Sequence, residues 1–95
     1  MYLNLINYYF NQNLNTIEKI INRWTETNVK NYINFVANYM KINEKEIFNL
    51  NKENLIKLSK AIVLFENGIN LDEEVFEVAY LLLPKEKKNL IKKNN

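Results

Sequence analysis

The chain has no cysteine, no histidine, one glycine (Gly68), one proline (Pro84) and one arginine (Arg23). Each absence closes off a chemistry. Without Cys there is neither a disulfide framework nor a thiolate metal site. Without His the commonest metal ligand and general base is gone. A lone glycine cannot build a Gly-rich loop that cradles phosphate. The longest apolar run, Val78 to Leu83, is six residues, against about 20 for a membrane-spanning helix. Residues 1–10 carry Asn4 and Asn7 without a basic start or a small-residue cleavage site, unlike a signal peptide. No metal, no cofactor and no membrane are expected.

What is present is a helix-forming chain of one-domain size. It has 95 residues, 47% of them hydrophobic and 25% charged, with six Tyr, five Phe and one Trp. Two helix breakers and little alternation predict an all-α fold, a compact bundle of five to six short helices. A single domain spans 1–83, and a short basic helix or tail occupies 84–95. The 19 asparagines read first as codon bias.

Apolar periodicity places helices near 2–12, 16–24, 28–40, 52–66, 72–82 and 85–92. Ile17, Ile20, Ile21 and Trp24 form the clearest stripe, at i, i+3, i+4, i+7. Asn15 with Glu18 reads as a capping box for it. Asn28, Asn51 and Asn70 or Asp72 mark further helix starts. Asn43 with Glu46 predicts a helical turn in the 41–50 loop that points Ile47 and Leu50 inward. Gly68 suits the left-handed residue after a helix.

Charge is uneven. Residues 1–40 carry +1, 41–83 carry −3 and 84–95 carry +4. Five acids and no base fall between Glu66 and Glu77: Glu66, Asp72, Glu73, Glu74 and Glu77. They read either as helix-start residues on a solvated face or as an acidic surface for a partner. The spacing does not match a calcium loop. Tyr2 and Tyr8 fall at the edge of the first helix, where an exposed apolar strip would serve a protein partner. The tail lysines Lys85, Lys87, Lys88, Lys92 and Lys93 lack interleaved aromatics, so nucleic acid is the weaker reading. Ser59, Thr16, Thr25 and Thr27 have no His to activate them, and no nucleophilic site is expected.

Four segments occur in order: Asn15-Thr16-Ile17 with Ile20 to Trp24, then Tyr32 to Val36, then Ala61-Ile62, then Glu66-Asn67-Gly68. Together they resemble a family of bacteriophage virion-associated proteins described as lysozyme-like and peptidoglycan-active. The resemblance covers about residues 3–68, with Leu50, Leu55 and Leu58 at the family's connector and helix positions. Its Asn-rich N-terminal segment has no counterpart here, and Phe65 stands where the family commonly has His. The resemblance implies a phage- or prophage-derived remnant without its enzymatic half. Glu66 is the one carboxylate it offers for catalysis if lysozyme-like activity is retained.

The expected function is therefore a non-enzymatic interaction protein in the cytoplasm of an infected or lysogenic bacterium. It would inhibit a host protein, such as a defence nuclease complex, through Glu66, Asp72, Glu73, Glu74, Glu77, Tyr2 and Tyr8. The alternative is a peptidoglycan-binding accessory domain of a phage virion. Self-association is a further expectation.

Overall fold

The computed structural model describes residues 1–94. Six helices follow in order: α1 Tyr2–Phe10, α2 Ile17–Trp24, α3 Val29–Met40, α4 Lys52–Asn67, α5 Glu73–Leu81 and α6 Lys85–Lys93. Among the described residues there is no strand. The molecule is the all-α bundle that the periodicity predicts. No described helix is long and apolar enough to cross a membrane.

α4 is the hub. It lies against α3, α1 and α5, and it buries Leu55, Ile56, Leu58, Ser59, Ala61 and Ile62. α2 adds Ile17, Ile20 and Ile21, all fully buried, and α3 adds Tyr32, Ile33, Val36 and Met40. The α2 residues are the stripe read from spacing, with Trp24 only half-buried, and the three helices together make one continuous core.

The helix starts follow local chemistry, with one shift. Thr16, not Asn15, caps α2. Its backbone is extended, as an N-cap requires, and its hydroxyl accepts the Lys19 N–H at 3.2 Å. Asn15 is drawn elsewhere: its carbonyl accepts the Phe48 N–H at 3.2 Å, and its side-chain oxygen is buried without a partner. Asn51 caps α4 as expected, accepting the Asn54 N–H at 2.9 Å. Gly68 closes α4 with φ +70° and donates its N–H to Leu64.

Asparagine also substitutes for glycine. Asn13 and Asn28 take left-handed backbone, with φ of 58° and 53°, a region Asn enters more readily than most residues because its short amide bonds locally. Asn28 accepts a hydrogen bond from Asn31 at 2.9 Å instead of capping a backbone N–H. A chain with one glycine turns two corners by this means, and Lys41 takes the same backbone, with φ of 58°, at a third. The asparagine excess thus has a conformational use.

The 41–51 segment is pinned to the bundle. The Glu18 N–H donates to the Glu44 carbonyl at 3.0 Å, and the Tyr9 hydroxyl donates to the Phe48 carbonyl at 2.7 Å. Asn43 forms the predicted turn by accepting the Lys45 N–H. After it the chain runs irregular and extended, so inward residues alternate. Phe48 and Leu50 are buried, whereas Ile47 is 68% exposed, contrary to the helical-turn expectation.

α4 and α5 run antiparallel with a charged seam. The Lys52 ammonium pairs with Glu77 at 2.7 Å and lies over the Tyr80 ring. Eight residues on, Lys60 pairs with Glu73 and lies over the Phe76 ring. Each lysine stem thus covers an aromatic face while its head meets a carboxylate. Beyond Pro84, α6 docks through fully buried Ile91 and half-buried Leu90, so residues 85–93 belong to the bundle.

Candidate functional site

Two places stand out from this core. The first lies where α2, α3 and α4 meet. Trp24 ends α2, Tyr32 sits one turn into α3, and Glu66 is near the C-terminus of α4. The Trp24 indole N–H donates to Glu66 Oε2 at 2.8 Å and also reaches the Tyr32 oxygen at 3.1 Å. The Tyr32 hydroxyl donates to the same Glu66 oxygen at 2.5 Å. One carboxylate thus joins three helices.

Around it is a recess of about 480 Å³ lined by Trp24, Thr25, Thr27, Asn28, Tyr32, Phe65 and Glu66. The Tyr32 and Phe65 rings pack with centroids 4.2 Å apart, and Phe35 adds a third ring against Phe65. The Tyr32 phenol is pushed well above the ordinary range. Burial is the main cause, the hydrogen bond to Glu66 and its charge add to it, and the Trp24 hydrogen bond opposes it. Tyr32 therefore stays a neutral donor to the carboxylate. Glu66 is the only acid lining the recess, so it lacks the second carboxyl that paired-carboxylate glycoside hydrolysis uses.

The acidic set expected as one contact surface is divided by the fold. Glu66 belongs to this recess. Glu73 and Glu77 face α4 and are engaged by Lys60 and Lys52. Asp72 and Glu74 remain exposed beside Val75 and Val78. Tyr2 and Tyr8 are both buried, contrary to the expectation of an exposed edge. The Tyr2 hydroxyl donates to the Phe76 carbonyl at 2.9 Å, tying α1 to α5. The Tyr8 ring carries the Arg23 guanidinium 5.0 Å from its centroid. α1 needs its wide apolar face because it is wedged against α2 and α4. Of the tail lysines, Lys88 donates to the Leu81 carbonyl at 3.0 Å, at the end of α5. Lys85, Lys92 and Lys93 are exposed and Lys87 is half-buried.

The second place is the outer face of α5. Phe76, Tyr80 and Leu83 point into the core. The opposite side is also apolar: Val75 is 50% exposed, Val78 45%, Leu81 65% and Leu82 79%. Leu71 and Leu3 are exposed beside them. Between α1 and α5 lies a groove of about 350 Å³ that Leu3, Leu71, Val75, Ala79 and Leu82 help to line.

Both places were partly hidden in the sequence. Trp24 read there as the end of the α2 stripe, and nothing in the spacing joined it or Tyr32 to Glu66. The outer face of α5 was signalled by surplus: its apolar residues circle more of the helix than one packing face needs. Comparison with known protein families, with curated proteins and with solved structures gives no significant match.

Proposed function

We propose that this protein is a non-enzymatic interaction protein that acts by burying the outer face of α5 against another polypeptide. The observation that carries this reading is the exposed row of Val75, Val78, Leu81 and Leu82. Singly exposed apolar residues are ordinary on a surface, but a contiguous row marks a docking site. Asp72 and Glu74 flank the row and would steer a basic partner to it. The lone carboxylate of the Glu66 recess fits the same reading, since no second carboxyl lines the recess to make a paired acid and base. On the phage resemblance, the partner is a host protein, with a defence nuclease complex as one target, met in the cytoplasm of an infected or lysogenic bacterium.

The test is affinity capture from host lysate with the wild-type chain and with a Val78→Glu, Leu82→Glu variant. A stoichiometric partner retained by wild type and lost by the variant supports docking through α5. Equal capture by both would sink it.

A second reading has one observation in its favour. The two rarest elements of the phage-like pattern, Arg23-Trp24 and Glu66-Asn67-Gly68, are brought together by the Trp24–Glu66 hydrogen bond. An aromatic beside a carboxylate, an amide (Asn28) and two threonine hydroxyls is suitable for a sugar, which points to a peptidoglycan-binding accessory domain. Sedimentation with purified sacculi tests it: retention should be lost in Trp24→Ala, and no retention of wild type ends the reading.

A further inference from the structure

We propose that, in the free protein, the outer face of α5 is covered by a second copy of this chain, packed antiparallel about a two-fold axis. The inference rests on the interaction reading above, whose host partner would compete with the second copy for the same surface.

Three observations support it. First, Val75 and Val78 on α5 and Leu82 at its C-cap recur at spacings of 3 and 4, and all are exposed. That is the spacing of an apolar seam that two packed helices share. Second, the strip is charged oppositely at its two ends. Asp72 and Glu74 lie at the start of α5. Lys85 follows its end, and the Lys88 ammonium sits on the Leu81 carbonyl at that same end. Among the described residues, Asp72, Glu74, Lys85 and Lys88 form no ion pair within the chain. Third, the register closes on itself. A two-fold axis between Val78 and Ala79 sets Val75 against the second copy's Leu82 and turns the acidic start of α5 toward the second copy's basic α5–α6 end. Each contact then occurs twice, as a self-complementary interface demands. The groove between α1 and α5 is open to receive the second copy's Leu82. A parallel pairing would place acid on acid and lysine on lysine.

The experiment is light-scattering and sedimentation mass of the full chain from micromolar to millimolar concentration. The expected mass is twice 11.4 kDa. Val78→Glu with Leu82→Glu should weaken pairing roughly a hundredfold while helical circular dichroism stays unchanged. The decisive arm uses two charge variants. Asp72→Lys with Glu74→Lys makes both ends basic. Lys85→Glu with Lys88→Glu makes both ends acidic. Each should be monomeric alone, and an equimolar mixture should restore a one-to-one dimer. A wild type that stays monomeric at millimolar concentration overturns the proposal. So does a dimer that survives the two glutamates, or charge variants that fail to complement. A monomeric wild type whose captured host protein is still lost by the glutamate variant removes the self-pairing and leaves the interaction reading standing.

Discussion

α4 and α5 are neighbours in one bundle, both rich in apolar residues, and the core treats them differently. α4 is packed by α3, α1 and α5 and buries six residues along its length. α5 buries only Phe76 and Tyr80 within the helix and leaves Val75, Val78 and Leu81 facing out. An apolar side chain in α4 is therefore a stability residue. An apolar side chain on the outer face of α5 contributes little to the folded monomer and is available for association. Location among the neighbours, not hydrophobicity, separates the two.

The sharpest way to break this contrast is to truncate one leucine from each helix. Leu58→Ala removes a fully buried side chain and should cost about 2–5 kcal/mol. For a domain of this size each kcal/mol lowers the melting temperature by roughly 4–8 °C. Leu82→Ala, measured at a concentration too low for association, should change stability by under about 0.5 kcal/mol. Thermal unfolding of both variants checks this, and equal losses would erase the distinction.

Alkaline titration probes both sides. Tyr2 links α1 to α5, and its phenol is pushed up to about 12, first by burial and then by the charge of Glu77. Tyr32, on the α4 side, shifts the same way. A phenol near 10 in the unfolded chain and higher in the fold contributes stability that is full below pH 10. That contribution is lost as pH rises through the folded value. Unfolding monitored from pH 9 to 12 should show stability falling above about pH 10. Tyr2→Phe should flatten the part of that fall owed to the α1–α5 tie. A stability curve level to pH 12 would refute it.

A smaller effect belongs to the cap of α2. Thr16→Ala should cost about 1 kcal/mol, whereas Asn15→Ala should cost less, because the Asn15 side-chain oxygen accepts no hydrogen bond. Urea midpoints would rank the two. Smallest of all is Ser59→Ala in α4. The Ser59 hydroxyl is fully buried and has no partner. Its removal should leave stability unchanged or raise it by up to about 1 kcal/mol. A loss of more than that would mean the hydroxyl is satisfied in solution.

Regular features were legible before the fold was known. The stripes of α2, α3 and α4, the Asn51 cap and the Gly68 stop follow from period and local hydrogen bonding alone. What escaped depended on contacts between distant segments. Thr16 caps α2 in place of Asn15, whose backbone is instead tied to the distant Phe48 N–H. Phe48 turned inward in place of Ile47 because the loop is extended where it meets Tyr9. Glu66 left the other acids because it turns to Trp24 and Tyr32, 42 and 34 residues away. Period 3.6 tells which residues share a helix face. It does not tell which faces find a neighbour, and for α5 that was the functional question.

The single tryptophan gives the molecule a built-in optical reporter. Trp24 is half-buried with its ring N–H held by a carboxylate and a phenol. Its emission should follow the junction of α2, α3 and α4. The apolar row of α5 contains no Trp or Tyr among Leu71, Val75, Val78, Leu81 and Leu82. Indole fluorescence should therefore register loss of the Glu66 clamp, for example in Glu66→Gln, and be nearly blind to events at α5. One unlabelled chain can thus be followed at one of its surfaces while the other is varied.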